Sequence, residues 1–167
     1  MFIGGEKMII DITKLKQCIL NELEVNEDII IEKEMLEKAK IIDLKDANIN
    51  GYITKDNDSD YYLDLSLRGT LVLPCSITLK PVDYDFATEI AGSYNEMMSE
   101  IGENSKINEN SLDILPIIWQ NILMEIPIKV TGPEATDLKL SGDGWKLVTE
   151  ESEHTTKNAF DKLKDLL

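Results

Sequence analysis

The stretch YYLDLSLRGTLVL, residues 61–73, decides the fold. Its leucines fall on one face of an extended chain, and the polar residues between them fall on the other. The apolar face holds Leu63, Leu65, Leu67, Leu71 and Leu73, and the opposite face holds Asp64, Ser66, Arg68 and Thr70. This sustained alternation with a period of two predicts a long β-strand with one buried face.

The segments on either side repeat the pattern. Apolar and polar residues alternate in ANINGYIT, residues 47–54, and again in VDYDFATEI, residues 82–90. The polar stretch KDNDSD, residues 55–60, predicts a turn between the first two strands, and residues 75–80 connect the second strand to the third. Three strands in succession predict an antiparallel sheet around 47–54, 61–73 and 82–91, with one apolar face that needs a cover.

A helix follows that can provide this cover. LDILPIIWQNILMEIP, residues 112–127, carries aliphatic residues at helical spacing and predicts a helix over 113–126. Asp113 is a suitable N-cap, and Pro127 ends the helix. Trp119 on this helix is better explained as a core residue than as a platform on which nucleic-acid bases stack.

The remaining segments give weaker signals. We expect a short strand within 8–15 and a short strand or extended piece at 29–32 followed by a helical turn. We also expect a mobile polar loop over 91–110 that contains a helical turn around 96–101. TTKNAFDKLKDLL, residues 155–167, predicts a short amphipathic helix.

These elements predict an α+β fold. Its antiparallel sheet, which could also curl into a partly closed barrel, is covered by one helix, and a short helix ends the chain. We expect residues 1–7 to be an N-terminal extension, 8–150 a single domain and 151–167 a C-terminal segment with the amphipathic helix. At 167 residues the chain is long enough for one domain with a hydrophobic core.

Charge restricts the kind of partner. The chain has 17 Lys and Arg against 32 Asp and Glu, a net charge of −15, and Arg68 is its single arginine. Nucleic-acid binders usually carry a basic patch, and no dense lysine cluster occurs here, so the acidity favours solubility or a basic protein partner. No apolar run is long enough to span a membrane and no signal peptide is evident, so we expect a cytoplasmic protein.

The chemistry-bearing residues are few. Cys18, Cys75 and His154 are too few and too far apart in sequence for a four-ligand zinc site or a disulfide framework, so we predict no metal and no cofactor. A nucleophilic Cys75 would need a base, and His154 lies in the hydrophilic segment EESEHTTK. GDG, residues 142–144, lacks the lysine and helix of a phosphate-binding loop. We therefore predict a non-enzymatic protein with no small-molecule substrate, in which Cys75 is a buried thiol.

Three stretches together resemble a known family. MIIDITKLK from Met8, RGTLVLPCSITLKPVDYDF (68–86) and LDILPIIWQNILMEIP (112–127) resemble the YceD family, the large ribosomal RNA subunit accumulation proteins of bacteria and plastids. The resemblance covers about residues 8–150. It implies a non-enzymatic role in the accumulation of 23S ribosomal RNA and in large-subunit biogenesis.

The sequence departs from the family pattern at its cysteines. Many members carry C-x-x-C at the position of Cys75 and further cysteines after the proline that closes the helix. Here Thr78 replaces the second cysteine, and residues 128–150 contain none. Any metal function of the relatives therefore does not carry over.

Two partners remain open. One is large-subunit ribosomal RNA, as the resemblance implies, and the other is a basic ribosomal protein or assembly factor, as the charge favours. Arg68, Lys80 and Lys129 are the basic residues nearest the family-like motifs, and they are the candidate RNA contacts, although solvated cations would look the same. Trp145 would either fasten the cysteine-free tail to the sheet or form part of a partner site.

Overall fold

The computed structural model describes residues 7–57, 60–102, 110–133, 141–142 and 145–146. It confirms the α+β class, with strands and helices mixed along the chain. In chain order the elements are β1 (Ile9–Asp11), α1 (Thr13–Lys16), β2 (Glu22–Asp28), α2 (Lys33–Lys38), β3 (Asp43–Asn57), β4 (Asp60–Pro74), β5 (Pro81–Ser93), α3 (Tyr94–Ile101), β6 (Ser111–Asp113), α4 (Leu115–Glu125), β7 (Ser141–Gly142) and β8 (Trp145–Lys146).

The main sheet has four antiparallel strands in the order β2-β3-β4-β5. The three strands predicted from alternation are confirmed as β3, β4 and β5, each longer than predicted. Within the described residues, β2 and β5 lie at opposite edges of the sheet and are not paired with each other, so the sheet is open. The alternative of a partly closed barrel therefore does not apply. Leu65 pairs with Gly51 on one side and with Ile90 on the other, which places the predicted apolar faces of all three strands together.

The apolar face of the sheet forms the core. The predicted leucines Leu63, Leu65, Leu67 and Leu71 are at most 2% exposed, so their predicted burial is confirmed. Helix α4 buries Ile117, Ile118, Trp119 and Ile122, packs against β5 and α3, and shares one hydrophobic cluster with the sheet. The predicted cover helix is therefore confirmed, and Trp119, at 7% exposed, is a core residue as expected.

Three local features differ from the sequence prediction. Strand β2 was not predicted, because it has only Leu23 and Val25 as apolar residues among acidic and amide ones. A full helix, α3, replaces the single turn expected near 96–101, and the Ser93 hydroxyl caps it by accepting a hydrogen bond from the Glu96 N–H at 3.2 Å. The predicted strand within 8–15 ends at Asp11, where helix α1 takes over.

The start of α4 shows a modified version of the predicted cap. The N-cap position is Ile114 rather than Asp113, but an Asp113 carboxylate oxygen accepts a hydrogen bond from the Leu115 N–H at 3.1 Å. Asp113 is 6% exposed and pairs with Ile9 of β1. Burial raises the pKa of this carboxyl group above its usual value.

The chain forms two compact units, Met1–Gly132 and Pro133–Leu167. The first contains the main sheet, the β1–β6 pair and the four helices described above. In the second, β7 and β8 pair antiparallel, with Gly142 opposite Trp145. The predicted extension 1–7, with the exception of Lys7, and the predicted helix 155–167 lie outside the described residues, and the domain limits stay a prediction.

Candidate binding surface

The turn after β4 holds Cys75 in a closed position. The Cys75 N–H donates to the Lys80 carbonyl at 2.8 Å, and the Leu79 N–H donates to the Cys75 carbonyl at 3.0 Å. A second segment, residues 128–132, lies against this turn, because the Ser76 N–H donates to the Val130 carbonyl at 2.8 Å and the Ser76 hydroxyl accepts from the Val130 N–H at 3.1 Å. The Cys75 side chain has no exposed surface.

Hydrogen bonds stabilise the Cys75 sulfur as a thiolate. The Thr78 side chain gives the largest effect, and the backbone N–H groups of Gly132 and Thr78, each 3.5 Å from Sγ, add to it. Together they lower the pKa of the Cys75 thiol to about 6. Desolvation opposes this only weakly, since Cys75 lies under a surface turn and outside the main hydrophobic cluster.

This arrangement encloses the Cys75 sulfur, as we expect for a thiol without a catalytic or metal-binding role. A nucleophilic thiolate must be accessible, and this sulfur is not. Within the described part of the chain, no group of three or more His, Cys, Asp or Glu side chains is placed to hold a metal ion. Cys18 is exposed, and His154 lies outside the described residues. The absence of a metal and of a catalytic role for Cys75 stay predictions.

We expect the stabilisation from Cys75 to depend on pH. The thiol titrates near pH 9.0 in the unfolded chain and near 6 in the folded one, so between these values the unfolded chain binds more protons. The stabilisation is therefore complete above about pH 9 and is lost as the pH falls through about 6. In urea unfolding, the difference between wild type and Cys75→Ala should narrow as the pH falls from 9 to 6.

The exposed Cys18 supplies the matched control for this measurement. A Cys18→Ala variant should track the wild type at every pH. A pH-independent difference for Cys75→Ala would show that the folded protein does not hold a thiolate at this position.

Two of the predicted contact residues lie on segments that are hydrogen-bonded to each other. Lys80 ends the turn after β4, and Lys129 precedes Val130 on the segment hydrogen-bonded to that turn. Both residues are exposed. Arg68 is also exposed but lies six residues before Pro74 on β4, about 20 Å along the strand. Trp145 lies in β8, in the second unit.

Arg68 belongs to the side of the main sheet that faces away from the core, which we call the outer face. Strand register places four rows of side chains on this face. The rows are Glu22, Thr54, Tyr62 and Ser93; Glu24, Tyr52, Asp64 and Ala91; Asn26, Asn50, Ser66 and Glu89; and Asp28, Asn48, Arg68 and Ala87. Five carboxylates and one cation therefore share these rows.

An amide network orders the part of the outer face near Arg68. Asn48 Nδ2 donates to the Asn26 side-chain oxygen at 3.3 Å and to a carboxylate oxygen of Asp28 at 3.1 Å, and Asn50 Nδ2 donates to the Asn48 side-chain oxygen at 3.3 Å. These bonds link β2 to β3 through side chains. They occupy part of the hydrogen-bonding capacity of these amides, so this part of the face offers a partner fewer open polar groups.

Two exposed tyrosines on the outer face were not predicted as candidate contact residues from the sequence. Tyr52 is 46% exposed and Tyr62 is 43% exposed. Tyr52 lies opposite Asp64 and Tyr62 lies opposite Thr54, so the two rings are diagonal neighbours on adjacent strands. The alternation in 47–54 and 61–73 already placed both residues on the polar face. What the sequence did not provide was the register that brings them together.

Comparison with known proteins relates this chain to one family. A family model described as "Large ribosomal RNA subunit accumulation protein YceD" matches residues 63–167, more than half of the chain. A Bacillus subtilis (strain 168) protein described as "Uncharacterized protein YlbN" is 29% identical over 104 residues, which are 59% of this chain and 59% of that protein. The chain thus matches about three fifths of the length of this curated relative. The family description supports a ribosome-related role.

No solved structure matches the chain. Among the described residues, no helix is long and apolar enough to cross a membrane.

Proposed function

Because the chain belongs to the YceD family, we propose that it is a non-enzymatic factor that supports accumulation of 23S ribosomal RNA and assembly of the large ribosomal subunit. The observation that carries this proposal is the family match over residues 63–167. The matched range includes most of β4, all of β5 and α4, and the Cys75 turn, which together form one half of the main sheet with its cover helix.

The chemistry of the described residues fits a binding role. Cys75 is enclosed and held by hydrogen bonds, and no cluster of metal-ligating side chains occurs in the described part of the chain. An assembly factor needs surface rather than a reactive centre. We propose Arg68, Lys80, Lys129 and Trp145 as contacts to ribosomal RNA, with Lys80 and Lys129 acting together.

A second candidate function is an acidic module that binds a basic ribosomal protein or assembly factor without touching RNA. The net charge of −15 favours it, because the field of the whole protein attracts basic partners and repels phosphates. The outer face favours it as well, with five carboxylates and a single arginine across its four rows. Both candidates place the protein at the large subunit and differ in the molecule that it touches.

The shared part of the proposal is tested by sedimentation. Tagged full-length protein should co-migrate with large-subunit precursors in a sucrose gradient of cell extract. RNase treatment separates the candidates: a protein-held complex leaves the tagged chain bound to ribosomal proteins, whereas an RNA-held complex releases it. Migration at the top of the gradient, away from all precursors, would overturn the proposed function.

Salt dependence should tell the two partners apart. We expect weak binding to naked 23S fragments with a shallow salt slope, because each duplex phosphate neutralised adds about 0.9 to the slope of log affinity against log salt and few cations are available. A basic large-subunit protein should bind more tightly, and salt should weaken that binding. The measurement is a titration of each labelled partner at two salt concentrations.

Matched variants assign the RNA contacts. Lys80→Ala with Lys129→Ala should reduce RNA binding more than Lys33→Ala with Lys38→Ala, which removes the same charge from exposed positions on α2. Equal losses would show that Lys80 and Lys129 are not a site. Tight RNA binding with a steep salt slope, without binding to the basic protein, would exclude the protein-binding candidate.

A further inference from the structure

The outer face combines exposed tyrosines with carboxylates at its end near the β3–β4 connection. Tyr52 is flanked in its own row by Glu24 on β2 and by Asp64 on β4. In the neighbouring row, Glu22 and Tyr62 lie on either side of Thr54. We call Glu22, Glu24, Tyr52, Tyr62 and Asp64 the tyrosine–carboxylate patch.

The patch is compact enough for one short segment of a partner. Adjacent strands are about 4.8 Å apart and side chains on one face repeat about every 6.8 Å along a strand. The five side chains come from two adjacent rows over three strands, so these spacings confine them to a small area. Side chains opposite each other, such as those of Tyr52 and Asp64, have Cβ atoms about 5 Å apart.

The carboxylates of the patch are not neutralised internally. Asp28, at the other end of the face, accepts from Asn48, and Asp83 forms an ion pair with Lys45 at 3.2 Å. By contrast, the carboxylates of Glu22, Glu24 and Asp64 make no hydrogen bond or ion pair with another described residue. All three side chains are exposed. Their charge is available to a partner.

We infer that the tyrosine–carboxylate patch docks a lysine- and arginine-rich segment of a partner protein. A tyrosine ring attracts a Lys or Arg cation that lies over its face, and neighbouring carboxylates add ion pairs and hydrogen bonds. Alternating cations on an extended segment would meet the two rows in succession. This inference rests on the proposed function, within which it identifies the surface and chemistry of the protein partner.

Charge selects this occupant over the others. Phosphate groups of RNA would meet the three carboxylates, so base stacking on the tyrosines would have to overcome electrostatic repulsion. A second copy of the chain brings another net charge of −15. Residues 134–167 carry eight Asp and Glu against five Lys, a net charge of −3, and are not complementary either.

The test uses the full-length chain and a labelled octalysine peptide in a fluorescence anisotropy titration. Glu24→Gln with Asp64→Asn should weaken binding about tenfold, because two solvent-exposed ion pairs with the peptide are lost and each contributes modestly to affinity. The control Glu34→Gln with Glu37→Gln removes the same charge from exposed positions on α2 and should change affinity less than about twofold. Equal losses of affinity in the two variants would contradict docking of the peptide at the patch.

Substitutions at the tyrosines test the ring contact separately. Tyr52→Phe with Tyr62→Phe keeps the aromatic faces and should retain affinity, whereas Tyr52→Leu with Tyr62→Leu should lose about fivefold. Urea unfolding of each variant verifies that the fold is kept. Unchanged affinity in the leucine variant would overturn the inference. Tighter binding of a labelled single-stranded RNA octamer, lost in the leucine variant, would also overturn it in favour of base stacking.

Sedimentation of the Glu24→Gln, Asp64→Asn variant distinguishes this inference from the proposed function. If both are correct, the wild type co-migrates with large-subunit precursors and the variant does not. If the variant co-migrates as well as the wild type, the patch is wrong and the proposed function stands. If the wild type itself fails to co-migrate while the peptide results hold, the patch stands and its ribosomal partner is wrong.

Discussion

Gly51→Ala is expected to destabilise the protein by at least about 3 kcal/mol. Gly51 has a φ of +149°, which an alanine adopts only under strain. A Cβ at this position would lie 2.1 Å from the Asp64 carbonyl oxygen and 2.8 Å from the Leu65 Cα, both in the backbone of β4. The backbone cannot retreat cheaply, because β3 is paired with β2 and β4 on either side of this residue.

Gly102→Ala is the matched control. Gly102 has a φ of +78° at the C-terminal end of α3, and a Cβ there would meet no atom within 4 Å. Its substitution carries the conformational cost of the left-handed region alone, about 1 kcal/mol. The loss of unfolding free energy in Gly51→Ala beyond that in Gly102→Ala, measured by urea unfolding, therefore reports the steric contact. Equal costs for the two variants would show that β3 and β4 are farther apart at this point than described.

The sequence predicted the part of the fold that rests on alternation. The faces of β3, β4 and β5 that point to the core are mostly apolar, with Thr88 as an exception on β5, so the direction in which these faces point follows from a period of two. β2 was not predicted because most of its seven residues are polar, including Glu22, Glu24 and Asn26. It forms a strand because it pairs with β3. Pairing is a tertiary effect, and strand propensity alone does not reveal it.

The candidate contact residues were also predictable only in part from the sequence. The sequence identified Arg68, Lys80 and Lys129 as basic residues. It did not show that the segments carrying Lys80 and Lys129 are joined by the hydrogen bonds between Ser76 and Val130. Ser76 and Val130 are 54 positions apart along the chain, and local sequence patterns carry no information on their contact. The tyrosines of the outer face were missed for a related reason, since their proximity depends on strand register.

Fluorescence of a single tryptophan can follow the first compact unit alone. The chain has two tryptophans, of which Trp119 lies in Met1–Gly132 and Trp145 in Pro133–Leu167. In a Trp145→Phe background the signal reports only on Trp119, which is buried on α4. This background suits both the glycine comparison above and a test of the cover helix.

In this background, Ile118→Ala is expected to lower the free energy of unfolding by about 2 to 5 kcal/mol. Ile118 has no exposed surface and belongs to the cluster that α4 shares with the sheet, so truncation removes buried methyl groups and leaves a cavity. Alanine favours the helix over isoleucine by a few tenths of a kcal/mol, which offsets only a small part of the loss. Met124→Ala on the same helix, where the side chain is 66% exposed, should change stability by less than about 0.5 kcal/mol. If Ile118→Ala cost no more than Met124→Ala, α4 would not be packed on the sheet, and the apolar face of β3, β4 and β5 would need another cover.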